Sequence, residues 1–166
     1  MDHEGTPPLF KALGLPEGSS LLLDSSALIP LLEADDCRHR ALCALFDAAG
    51  EGRCRLFASA IAWTELLRKP LSPGLEPKWR QALSDSENIV IIPIDVAVAD
   101  LAAGLLRKAA ARGGKVPGLT DALHVASALV AGADALLTAD RGWKDLAPPA
   151  LRVVELEYFA ASFCGI

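Results

Sequence analysis

An α/β fold is predicted for this chain: a central parallel sheet of about five strands, covered by helices on both faces in a three-layer α/β/α arrangement. Three observations predict it. Short apolar runs alternate with longer stretches of helical period from residue 20 almost to the end, the pattern of strands connected through helices. The 166 residues suit a single domain with a sizeable core. Hydrophobic residues make up 52% of the sequence and aromatics only 5%, so that core must be built from aliphatic side chains.

The elements follow in order. The run Leu21-Leu22-Leu23 marks a first strand over 20–24, and helical periods follow over 26–34 and 37–49. A second strand is expected at 55–58, and a helix that opens near Ser59 or Ala60 at 60–69. Between Pro70 and Pro77 the chain carries helix-ending residues, and a further helix is read at 76–85. Ile89-Val90-Ile91-Ile92 marks a strand over 89–93, before a long helix at 96–112. Glycines and a proline between Gly113 and Gly118 end that helix. Thr120, a good N-cap, opens another at 120–131. Ala135-Leu136-Leu137 lies in a strand at 134–138; a helix at 141–146 and a last strand at 151–156 complete the pattern. No internal repeat or domain boundary is visible. Residues 1–18, rich in Pro and Gly, read as a flexible arm with a short helical turn around Leu9–Leu15, and residues 19–166 as the folded domain.

Composition excludes several classes. The apolar runs fall far short of the ~20 residues that a membrane span needs. Acids stand where a signal peptide carries Lys or Arg, and no apolar stretch of signal length follows. Cys37, Cys43, Cys54 and Cys164 form no C-x-x-C pair, so reduced thiols and a cytoplasmic setting are expected. Cys37, His39 and Cys43 would leave a zinc site incomplete. With 16 Lys and Arg against 21 Asp and Glu, the net charge of −5 argues against nucleic-acid binding through bulk positive charge.

In a right-handed strand–helix–strand unit, strand ends and helix beginnings share one rim, and ligands bind there. Asp24 ends the first strand, Asp140 follows the fourth, and Asp121 lies in the first turn of its helix. Glu65 sits about 1.5 turns into its own helix but is long enough to reach back. Four carboxylates on one edge would repel, and bound Mg²⁺ or Mn²⁺ would resolve the repulsion. Such a site suits phosphate-ester hydrolysis. Each acid also has a plainer role: Asp24 and Asp140 could cap helices, Asp121 could favour a helix N-terminus, and Glu65 could pair with Arg68.

At these residues the chain resembles the PIN-domain proteins, most closely the VapC-type toxin ribonucleases of bacterial toxin–antitoxin systems. Four segments carry the resemblance in order: Leu22-Leu23-Asp24-Ser25-Ser26-Ala27-Leu28, Ser59-Ala60-Ile61-Ala62-Trp63-Thr64-Glu65-Leu66, Asp121-Ala122-Leu123-His124-Val125-Ala126-Ser127-Ala128-Leu129 and Leu136-Leu137-Thr138-Ala139-Asp140. The resemblance spans about residues 20–156. It implies metal-dependent RNA cleavage at Asp24, Glu65, Asp121 and Asp140 as catalytic residues and ligands of Mg²⁺ or Mn²⁺. It also implies a supporting hydroxyl at Thr138, with Ser25 a weaker candidate, a small antitoxin partner and a homodimer. Family members often carry a further acid followed by Phe, whereas here Trp143 and Lys144 precede Asp145.

His124, one turn after Asp121, is read as structural, since metal-assisted hydrolysis needs no histidine. From Leu101 to Thr120 the chain carries Arg107, Lys108, Arg112 and Lys115 and no acid, either a solvated helix face or an RNA-contacting patch leading to Asp121. Two other functions compete. A haloacid-dehalogenase-like phosphatase would need a second Asp two residues after Asp24, where Ser26 stands. A non-catalytic PIN module binding RNA or protein would be marked by loss of the acids, and all four are present.

Overall fold

The chain is described by a computed structural model over residues 9–68, 71–85, 87–113 and 115–166, with the backbone alone for Asp85, Lys144 and Asp145. Five strands, β1 (Ser20–Leu23), β2 (Arg55–Ser59), β3 (Ile89–Ile92), β4 (Ala135–Thr138) and β5 (Arg152–Glu155), form one parallel sheet in the order β3-β2-β1-β4-β5. Register pairs Leu22 of β1 with Phe57 on one side and with Leu136 on the other. The chain builds outward from β1 in one direction and returns to build in the other, so the order reverses beside β1. That switch point opens a crevice at the C-terminal ends of β1 and β4.

Among the described residues, eight α-helices accompany the strands: α1 (Leu9–Leu13), α2 (Ser25–Glu33), α3 (Cys37–Gly50), α4 (Ala60–Leu67), α5 (Leu75–Arg80), α6 (Val96–Ala111), α7 (Leu119–Val130) and α8 (Leu156–Cys164). Successive strand residues face opposite sides. Leu21 and Leu23 join a core built with α1–α5 and α8, whereas Leu22 joins a second core built with α6 and α7. All three leucines are fully buried, which a sheet covered on both faces requires. The expected three-layer α/β/α fold is therefore present.

Several local expectations change. Residues 1–8 of the expected arm lie outside the described residues, but Leu9, Phe10, Ala12 and Leu13 of α1 are buried in the first core. Gly14 ends α1 with φ +65°, and the Arg152 guanidinium donates to its carbonyl. The helix expected at 141–146 is a single 3-10 turn, Gly142–Asp145, and the one expected at 76–85 is α5 continued as a π-helical turn, Gln81–Asp85. Helix α8 was not expected at all. Its Cys164 forms a disulfide with Cys37 at the start of α3, with Cα atoms 6.3 Å apart, which corrects the expectation of four free thiols. The partners are 127 residues apart in sequence, and only the packing of α8 on α3 brings them together. Cys43 and Cys54 are free, and no zinc-binding group forms among the described residues.

Candidate active site

Asp24 follows β1 directly and is buried at 2% exposure. It caps α2, its Oδ1 accepting the Ala27 N–H at 2.8 Å. Thr138, the last residue of β4, donates its hydroxyl to Asp24 Oδ2 at 2.6 Å, and the Ser26 hydroxyl lies 2.8 Å from Oδ1. Burial pushes the Asp24 carboxyl above the usual carboxylate range, and the bonds from Thr138, Ala27 and Ser26 only partly offset it.

The two hydroxyls also accept hydrogen bonds from the chain beyond β4. Thr138 Oγ1 accepts the Asp140 N–H at 3.0 Å, and Ser26 Oγ accepts the Ala139 N–H at 3.0 Å. Each hydroxyl donates to the carboxylate and accepts from the loop, so together they latch the end of β4 to the end of β1. The position of Asp140 relative to Asp24 is set by this latch.

Glu65 reaches the same region from α4. Its Oε2 accepts from the Ser25 hydroxyl at 2.7 Å and lies 2.7 Å from Nε2 of His124 on α7. The imidazole beside it holds the Glu65 carboxyl below the usual range, against the opposing effect of partial burial. An ionised carboxylate cannot donate, so Nε2 carries the shared proton. His124 is 1% exposed and packs against the Trp143 ring at 5.6 Å between centroids. One helical turn on, the Ser127 hydroxyl donates to that of Ser59, the N-cap of α4, at 2.8 Å. The α7–α4 contact that aims Glu65 is thus pinned twice.

Asp121, in the first turn of α7, accepts the Gly118 N–H at 3.3 Å. Partial burial raises its pKa, and the nearby carboxylates of Asp140 and Glu65 raise it further. Asp140 is exposed and accepts the Gly142 N–H at 3.1 Å. Asp24, Asp121 and Asp140 therefore stand at strand ends and a helix start of one rim, and Glu65 reaches that rim from inside α4.

Whether these residues suit a divalent cation turns on chemistry and geometry together. A set of carboxylates, mutually repelling and next to a crevice, is what a hard cation binds. As the side chains stand, each is drawn to its own hydrogen bonds, and no three His, Cys, Asp or Glu side chains among the described residues gather on one point. Binding requires rotation of the less constrained acids, Asp121 and Asp140, each held by a single backbone donor.

The remaining expected residues divide. Ser25 bonds Glu65 rather than Asp24. Lys108, Arg112 and Lys115 line one groove, whereas the Arg107 guanidinium lies back beside Gly104. The Asp145 side chain lies outside the described residues. Ser26 and His124 are the contributions that sequence reading underrated; the signals were the second serine after Asp24 and the placement of His124 one turn beyond Asp121.

The PIN domain family model matches residues 21–148. No curated protein sequence matches the chain. Among solved structures, FitAcB from Neisseria gonorrhoeae is similar with a TM-score of 0.61 at 23% identity, over 82% of this chain and 98% of the other. VapBC2 from Rickettsia felis, bound to a DNA fragment from its promoter, gives 0.59 at 18% identity over the same shares. DNA-bound VapBC from Salmonella typhimurium gives 0.59 at 15%, over 83% and 98%. At such identities these structures speak for the fold, which agrees with the sheet order and rim described above. The family match covers most of the 166 residues and contains all four acids, and the chain belongs to the PIN-domain family.

Proposed function

We propose that this protein is a divalent-metal-dependent ribonuclease that hydrolyses RNA phosphodiester bonds and serves as the toxin of a toxin–antitoxin pair. The observation that carries this reading is the convergence of Asp24, Glu65, Asp121 and Asp140 on one rim at the switch point of a PIN-domain sheet. Asp24, Asp121 and Asp140 would hold Mg²⁺ or Mn²⁺, with Glu65 as a further ligand or a positioner of water. When bound, the cation supplies activation of water and positive charge against the phosphate.

The chain's own residues do the rest. Thr138 and Ser26 hold Asp24 and Asp140 in fixed relation, and Ser25 and His124 keep Glu65 ionised and aimed at the crevice. An ionised Glu65 can accept a proton from an attacking water. The similar solved structures are of VapBC and FitAB complexes, which supports a small antitoxin as partner here. A homodimer is part of the proposal on the family resemblance alone. No described helix is long and apolar enough to cross a membrane.

Purified protein incubated with total RNA tests the proposal. Cleavage with Mg²⁺ or Mn²⁺, its loss on chelation, and its loss in Asp24→Asn and Asp121→Asn are expected. Binding of RNA without cleavage in both metals would leave only a non-catalytic module, and full activity of Asp24→Asn would remove the acids from the mechanism.

A further inference from the structure

A groove of about 760 Å³ runs between the C-terminal half of α6 and the segment that leads into β5. Lys108, Arg112 and Lys115 line it, and no acid among the described side chains does. Its other wall contains Leu146, Pro148 and Pro149. All three cations are exposed, and none takes part in an ion pair among the described residues.

Three arginines elsewhere on the surface are ion-paired, whereas Arg40, Arg55, Lys78 and Arg141, like the groove cations, take part in no ion pair among the described residues. Arg38 pairs with Asp36 and Glu157, Arg53 with Glu17 and Glu51, and Arg80 with Glu76. No described acid side chain lines the groove, so its three cations have no carboxylate partner among the described residues. Three like charges around one concavity repel unless an anion enters it. Along the chain both walls connect to the acidic rim: Lys115 and Pro117 precede α7 and Asp121, and Leu146 follows the turn after Asp140.

We infer that this groove binds the phosphodiester backbone of a single-stranded segment of the RNA substrate, alongside the carboxylate rim. The three cations meet successive phosphates, and the proline and leucine wall gives ribose and base an apolar surface. With so few aromatics available for stacking, recognition here reads the backbone rather than base identity. The inference rests on RNA being the substrate, and it deepens the sequence-level patch by naming which of its cations share a site: Lys108, Arg112 and Lys115, without Arg107.

The test measures binding in the Asp24→Asn background, so that cleavage does not interfere, using a fluorescently labelled 20-nucleotide single-stranded RNA and anisotropy over a range of salt. Each phosphate contact adds about 0.7 to the slope of log affinity against log salt for single strands. The added triple substitution Lys108→Gln, Arg112→Gln, Lys115→Gln is expected to flatten that slope by about 2 and to weaken binding at least tenfold at low salt. The pair Arg38→Gln, Arg80→Gln, which removes equal charge per residue from ion-paired positions, is expected to leave the slope unchanged. An unchanged slope in the triple variant, or equal flattening by both sets, overturns the groove. So does poly-glutamate binding that the triple variant loses while RNA binding stays intact, since the groove would then serve an acidic protein. RNA binding with a groove-dependent slope but no cleavage by the wild-type chain would sink the ribonuclease reading and leave the groove standing.

Discussion

Replacing His124 separates what the fold gains from the Glu65 contact from what the site gains. The His124 and Glu65 side chains are 2% and 18% exposed and meet at 2.7 Å, so their hydrogen bond is charge-assisted and shielded from water. Bonds to a charged group contribute about 1.5–3 kcal/mol. Ser25 donates to the same oxygen and retains part of the stabilisation, which puts the His124–Glu65 coupling near the lower end, about 1.5–2 kcal/mol. His124→Ala also removes a ring that packs on Trp143, so its total cost should reach about 3 kcal/mol. For a domain of this size that is a Tm loss of about 6–12 °C. The assay is a double-mutant cycle of His124→Ala and Glu65→Gln by urea denaturation, without metal. His124→Gln, which can place an amide N–H near the position of Nε2, should recover part of the coupling and much of the activity. A coupling below about 0.5 kcal/mol would refute the reasoning, because a bond at that distance and burial could not then be holding Glu65.

Two other substitutions probe the rim. Asp121→Asn removes a carboxylate whose pKa is raised by burial and by Asp140 and Glu65, so it should abolish cleavage yet stabilise the metal-free fold by about 0.5–1 kcal/mol at neutral pH. The cost of ionising Asp121 is fully present above its raised folded pKa and absent below the unfolded value of 3.8, so the gain should shrink as pH falls towards 3.8; thermal melts across that range check the sign. Thr138→Val breaks the latch between Asp24 and the Asp140 backbone and leaves a buried carboxylate with one donor fewer, a loss of about 1–3 kcal/mol. Thr138→Ser keeps the hydroxyl and should retain both stability and cleavage; a Thr138→Val variant that melts and cleaves like the wild type would refute the latch.

Sequence reveals what depends on local pattern and conceals what depends on packing. The five strands are legible because Leu21–Leu23 and Ile89–Ile92 are continuous apolar runs in a chain that otherwise shows helical period. Asp24, Asp121 and Asp140 are legible because strand ends and helix starts can be placed from such runs. Helix α8 is less visible, since it starts where the last strand was expected to end, although Gly165 at φ +73° supplies an ordinary stop signal. Residues Leu9–Leu13 show no clear period in five positions, and their burial depends on α3 and α8, which lie far along the chain. The Cys37–Cys164 disulfide and the contact of Trp79 Nε1 with Glu33 are hidden for the same reason.

The plain and the catalytic readings of the acids are not alternatives. Asp24 caps α2, and Asp121 and Asp140 accept the N–H groups of Gly118 and Gly142. The unsatisfied backbone donors that make a helix start attractive to an acid are what collect acids on one rim. Without the four site carboxylates, the 21 acids fall to 17 against 16 bases, so most of the net charge of −5 belongs to this rim and the remaining surface is nearly neutral. That surface need not repel RNA, and the unpaired cations of the α6 groove can act locally. Glu65 is the exception to the capping logic. It lies inside α4, away from any free N–H, and depends wholly on side chains from α2 and α7 for its place. It is the acid that periodicity places least well and the one whose position should be most sensitive to substitutions in neighbouring helices.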